Sequence, residues 1–257
     1  MVKYAPKGHG KDKAHDVVCF IEAKPPSYLR NIVHRYICLK TDAPLPEDFR
    51  FHALPDACSY LVFDQHDAQV AGASMLRNCS EEFNLRRDFH FVNVRLFPGV
   101  WQTDRQAISY GQVNGPYTGD LPLLDYNRRL IGQDFETQQI ILSELVGMLV
   151  QQNVLATNVV TQRILSRFDD INSVSAMATA SAISARQLQR ILKRTTGFAP
   201  HDFLKVLRLQ KALGGDPTGQ YADQSISSIL SAKRPVTPRA AMPRNMMSEL
   251  YNTGRKI

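Results

Sequence analysis

The chain has 257 residues, 44% hydrophobic and 21% charged, a balance that suits folded domains with a core and excludes wholesale disorder and collagen-like or coiled-coil repetition. The longest apolar stretch, residues 140–150, is broken by Ser143 and Glu144 and falls short of the roughly 20 apolar residues that cross a bilayer, so no membrane partner is expected. The formal net charge is +7 and uneven: residues 1–160 hold 16 Lys+Arg against 18 Asp+Glu (−2), and residues 161–257 hold 15 against 6 (+9). A near-neutral front joined to a basic back predicts a sensing or assembly domain attached to a module that meets polyanions.

The first 16 residues carry Lys3, Lys7, Lys11 and Lys13 among Gly and His and read as a flexible basic tail. No apolar run of signal-peptide length follows, which predicts a cytoplasmic protein. Over 17–134 short β-type runs (VVCFIEA, VHRYICL, SYLVFD, FHFVNVRLF and, weakly, QAISYGQV) alternate with Pro and Gly turns. That pattern predicts a β-rich, barrel-like sensing domain. Pro55-Asp56 reads as a turn between strands. Cys19, Cys38, Cys58 and Cys79 form no CxxC and no Cys/His cluster, so free thiols and no metal site are expected.

Over 135–165 the apolar period lengthens. Ile141, Leu145, Met148 and Leu155, with Val159, follow a four-three spacing, the seam of a helical linker or dimerisation segment. Such a seam packs on a second copy, giving a homodimer, or on the chain's own front domain, and the spacing reads the same either way.

Residues 166–257 make an all-α module, and the informative stretch is 173–213, SVSAMATASAISARQLQRILKRTTGFAPHDFLKVLRLQKAL. Ser173 starts one short helix, and Ser184 starts a second with Gln187 completing a capping box. Gly197 stands where a helix ends in a left-handed residue, and Pro200 opens a third helix. A short helix, a tight turn and a second helix predict a helix-turn-helix, within an α+β chain overall. On helix 185–196, Leu188, Ile191 and Leu192 share one side, while Arg186, Gln189, Arg190 and Lys193 share the other. Arg and Gln pair with guanine and adenine edges in the major groove, which makes Arg186, Gln189 and Arg190 the candidate base readers. Lys193, Arg194, Arg208 and Lys211 suit the phosphate backbone.

These residues resemble a family. Ile183-Ser184, Arg186, Leu188-Gln189-Arg190, Thr196-Gly197, Pro200, Phe203-Leu204, Arg208-Leu209 and Ala212 are similar to the first helix-turn-helix of AraC/XylS-type transcriptional regulators, whose base-reading positions match Arg186, Gln189 and Arg190. That family carries a second such motif. Tyr221 to Ser225 resembles the start of its recognition helix, with Gln224 and Ser225 as second readers, and Val236-Thr237-Pro238 resembles the segment after it. Only GGDPTGQ separates Leu213 from Tyr221, Ser227 replaces a large aromatic and Ile229 an Arg. The second motif is therefore expected to be degenerate. LPDACSYLVF (54–63) and VNVRLFPGV (92–100) resemble the sensing domain of one subgroup of the same family.

An enzyme is not expected. His52, His66 and His90 form no H-x-H pair, and no phosphate loop or nucleophile elbow is present, so no catalytic residue and no cofactor are assigned. The reading is a transcription regulator that binds double-stranded DNA, with a small-molecule effector or protein partner and RNA polymerase as the further partners such a role brings. The alternative is an interaction protein of the same descent that does not bind DNA but pairs with intact regulators and restrains them.

Overall fold

The computed structural model describes Tyr4 and residues 17–74, 76–102, 115–214 and 234–235. Alternation of inward and outward residues builds the front half from seven strands: β1 (Val18–Ala23), β2 (Val33–Thr41), β3 (Arg50–Ala53), β4 (Ser59–Asp64), β5 (Ala71–Ser74), β6 (Glu81–Asn84) and β7 (His90–Leu96). Five pair antiparallel in the order β1-β2-β7-β4-β5. β3 and β6 pair antiparallel in a separate sheet, joined by the two-residue strand β8 (Arg234–Pro235). Among the described residues the two sheets share no strand and stay open, so the expected barrel is not formed. Short strands between turns signal antiparallel pairing; they carry no information about closure.

The two faces of the larger sheet have different neighbours, as a period of two requires. Val92, Val94 and Leu96 of β7, with Leu61 and Phe63 of β4, join the main core under the helices. Phe91, Asn93 and Arg95 alternate with them and turn toward the β3–β6 pair. Helices α1 (Leu123–Leu130) and α2 (Phe135–Gln151) cover the first face. α2 starts at Asp134, whose carboxylate accepts the Thr137 N–H at 2.7 Å. Buried amides pin both helices to the β4–β5 turn. Asn127 Nδ2 donates to the carbonyls of Asp64, Asp67 and Val70, Gln65 Nε2 donates to Asn127 Oδ1, and Gln138 Nε2 donates to Gln65 Oε1.

The expected linker seam is spent inside the chain. Ile141, Leu145 and Leu155 are buried in the main core and Met148 packs half-buried against it, beneath the sheet face that α2 covers. The helix also stops earlier than the spacing implied. Asn153 takes a left-handed backbone, and Leu155 forms a β-bridge with Trp101. A one-sided sheet must be covered, and the amphipathic helix that follows it in sequence does so. Ile141, Leu145 and Leu155 therefore pack inside their own chain, whereas Val159 of the same spacing is exposed.

One continuous core runs from Tyr4 through the sheet and helices to Phe203 and Leu207. Tyr4 departs from the expected flexible tail: it is 2% exposed, its hydroxyl donates to the Asp56 carbonyl, and its ring meets Phe168 edge-on. No helix among the described residues is long and apolar enough to cross a membrane.

Candidate nucleic-acid interface

Four helices close the described chain: α3 (Val159–Ser166), α4 (Val174–Ser181), α5 (Ala185–Thr196) and α6 (Pro200–Gly214). α3 was read as part of the linker, yet it packs on both α4 and α5. Its Arg163 donates to the Ser181 carbonyl at 2.9 Å and so satisfies the open C-terminal end of α4. The module is thus a helix longer at its N-terminal side than the motif alone suggested. α4 begins at Ser173, whose hydroxyl accepts the Ala176 N–H at 3.0 Å, and ends at Ala182 in a left-handed conformation.

α5 has the boundaries that its capping residues set. Ser184 Oγ accepts the Gln187 N–H, and Gln187 Oε1 accepts the Ser184 N–H, at 3.3 Å and 3.0 Å. Gly197 follows with φ 73° and donates back to the Leu192 and Lys193 carbonyls. Leu188, Leu192 and Thr196 are buried, and Thr196 Oγ1 donates to the Leu192 carbonyl at 2.6 Å. This buried edge fixes the rotation of the helix about its axis, and with it the direction of the opposite edge.

That opposite edge holds Arg186, Gln189, Arg190, Lys193 and Arg194 side by side, all exposed. The helix carries four cations and no carboxylate. None of the four makes a salt bridge to a described carboxylate, and Lys193 Nζ donates to the Gly197 carbonyl at 3.1 Å. The remaining candidates lie elsewhere. Arg208 donates to the Asn172 carbonyl at 2.7 Å and Lys211 to the Asp169 carbonyl, so both bind the loop before α4 and stand apart from that edge of α5. Gln224 and Ser225 lie outside the described residues, as do the QAISYGQV segment and the remainder of the second motif.

The module is fastened to the sheet half at a few polar points. Asn158 Nδ2 donates to the Gly99 carbonyl at 3.0 Å, Thr161 Oγ1 to the Pro98 carbonyl at 2.7 Å, and Gln210 Nε2 to the Pro55 carbonyl at 2.7 Å. Gly99 is at φ +77°, and a Cβ there would lie 2.7 Å from Asn158 Nδ2 and 3.1 Å from Thr195 Oγ1. Only glycine meets both demands.

Behind Pro55 lies a buried polar cluster, of which the expected Pro55-Asp56 turn is one part. Asp56 does make that turn, accepting the Cys58 N–H at 3.1 Å, but its second oxygen accepts the Tyr60 hydroxyl. Arg95 Nε donates to Tyr60 Oη at 2.9 Å, and its Nη1 lies 3.0 Å from Glu22 and 3.5 Å from His34 Nδ1. Burial, then the charges of Arg95 and Arg35, push His34 down to about 3, so it is neutral and its Nε2 donates to the Tyr4 carbonyl at 3.0 Å. Burial raises Asp56 above the usual carboxylate range, with Arg95 and Tyr60 opposing it. The groups satisfy one another, as a structural network does. No group of three or more His, Cys, Asp or Glu among the described residues is placed to hold a metal ion.

Comparison of the chain with known families, curated proteins and solved structures finds no match.

Proposed function

We propose that the chain is a sequence-specific DNA-binding transcription regulator that reads the major groove with α5. The observation that carries this reading is the exposed edge of α5, where Arg186, Gln189, Arg190, Lys193 and Arg194 lie side by side and no described carboxylate pairs with the cations. An α-helix fits the major groove, and Arg and Gln side chains match its base edges. In this reading Arg186, Gln189 and Arg190 read bases, while Lys193 and Arg194 hold phosphates. The likeness of residues 173–213 to AraC/XylS-type regulators supports it. The four cations and their side-chain spacing supply the chemistry without that likeness. The restrainer alternative needs an open pairing seam along residues 136–160, where Ile141, Leu145 and Leu155 are buried in the chain's own core while Ile140 and Val159 are exposed.

Selection from a random duplex pool by the full chain, followed by a salt titration, tests the proposal. A consensus should emerge, and log affinity should fall against log salt by about 0.9 per phosphate neutralised. Arg190→Ala should lose about 1–3 kcal/mol on the selected site and relax one base position, while affinity for random duplex changes far less. Equal losses on both, or a pool that yields no consensus, would overturn the reading.

A further inference from the structure

A cavity of about 120 Å³ lies between the five-stranded sheet and the β3–β6 pair. Its walls are mostly apolar, aliphatic residues with Phe51 and Phe83 of the β3–β6 pair and Phe91 and Tyr60 of the larger sheet among them, and the half-exposed Phe20 also lines it. The size is that of one six-membered ring, since an apolar cavity of about 150 Å³ takes up benzene. Gly72, paired with Val62, lines the cavity without contributing a side chain.

Two features select the chemistry of an occupant. Asn93 lines the cavity, and its Oδ1 is buried without a hydrogen-bond partner. A buried carbonyl oxygen is almost always paired, so this one lacks the donor it would ordinarily have. The cations of the wall are already answered. Arg95 lies 3.0 Å from Glu22 beside Asp56, and Arg77 lies 2.8 Å from Glu81 with its guanidinium over the Phe83 ring. An anion would have to break one of these pairs, whereas a neutral molecule leaves both intact.

We propose that this cavity binds a small neutral aromatic molecule carrying one O–H or N–H donor, its ring among the phenylalanines and its donor on Asn93 Oδ1. The proposal is independent of DNA recognition by α5 and is tested without DNA. The full chain is titrated with phenol, benzene and benzoate, followed by calorimetry and by backbone amide shifts. Phenol should bind saturably at one site, about five- to tenfold tighter than benzene, the effect of one net hydrogen bond. Benzoate should bind more weakly than either. Asn93→Leu should abolish the preference for phenol over benzene, and Gly72→Leu, which fills the space, should abolish both. If Gly72→Leu no longer melts cooperatively, the Asn93→Leu comparison decides. Absence of saturable phenol binding, an unchanged preference in Asn93→Leu, or benzoate binding tighter than phenol would overturn the proposal.

Discussion

Arginine is used in opposite ways at the two ends of this chain. In the front half Arg35 and Arg95 share Glu22, Arg50 faces Glu82, Arg77 faces Glu81, Arg128 faces Asp125 and Arg129 faces Glu144. On α5 four cations stand on one helix with no described carboxylate in reach. Like charges one turn apart destabilise a helix by about 0.2–0.5 kcal/mol per pair, so the fold gains nothing from this arrangement. In the front half these arginines are paired, Arg95 with its guanidinium buried. On α5 the charge is left facing outward, and the fold is held by Leu188 and Leu192 on the other edge.

The sharpest way to break that contrast is to remove one arginine from each region. Arg95→Leu removes the cation beside the buried Asp56, leaves Glu22 with Arg35 alone at 3.9 Å and opens the Tyr60 contact. Removing one partner of a buried ionic network costs about 3–5 kcal/mol, and urea denaturation should read a loss of that order. Arg190→Leu on α5 should stay within about 0.5 kcal/mol of the parent in the same assay, as exposed substitutions do. Similar losses for the two would mean that the α5 cations support the fold after all.

The second prediction concerns acid. Unfolded His34 titrates at 6.5, but in the folded chain it is pushed down to about 3. Below pH 6.5 the unfolded state therefore binds a proton that the folded state refuses, and stability falls as pH drops through that window toward 3. The slope is at most about 1.4 kcal/mol per pH unit. Asp56 works in the opposite sense: its raised folded pKa lets the folded state take a proton first, which offsets part of the loss near the carboxylate range. Urea midpoints measured between pH 7.5 and about 5 should show the fall in the parent and a flatter line in His34→Gln. Parallel lines would show that His34 is not the group that titrates.

What the sequence disclosed follows the range of the interactions. Ser173, Ser184, Gln187, Gly197 and Pro200 act within four residues of themselves, so the bounds of α5 and its two edges were legible from spacing alone. Strands β1, β2, β4 and β7 were legible from their β-branched and aromatic alternation. β5 was not, because Ala71-Gly72-Ala73-Ser74 has little intrinsic strand preference and is held by pairing with β4. Nor was the cavity or the Asp56 cluster. Tyr4, His34, Asp56 and Arg95 are brought together by folding across 91 positions (4 to 95), and no local pattern records that. Of the four-three seam, Ile141 and Leu145 are buried on α2, which ends at Gln151 before Leu155 is reached, and a stripe does not say what covers it.

The smallest effect is expected at the helix starts, where the two regions can be compared cap for cap. Ser184→Ala removes the acceptor of the Gln187 N–H and weakens the return bond from Gln187, and should cost about 1 kcal/mol, whereas Ser184→Gly should cost only a few tenths. The more telling readout is local. α2 begins at Asp134 and is clamped along its length by Leu142, Leu145, Val146 and Leu149, all fully buried. α5 is shorter and buries only Leu188, Leu192 and Thr196, beneath an edge whose cations meet no described carboxylate. Losing its cap should therefore fray the first turn of α5, where Arg186 sits, while Asp134→Ala should leave α2 closed until the whole chain unfolds. Amide hydrogen exchange distinguishes the two: residues 187–189 should exchange faster in Ser184→Ala at a denaturant concentration far below the midpoint, and residues 138–140 should not in Asp134→Ala. Frayed ends at both helices would mean that packing on the sheet does not protect α2, and that the front half is held together less firmly than its paired charges and continuous core imply.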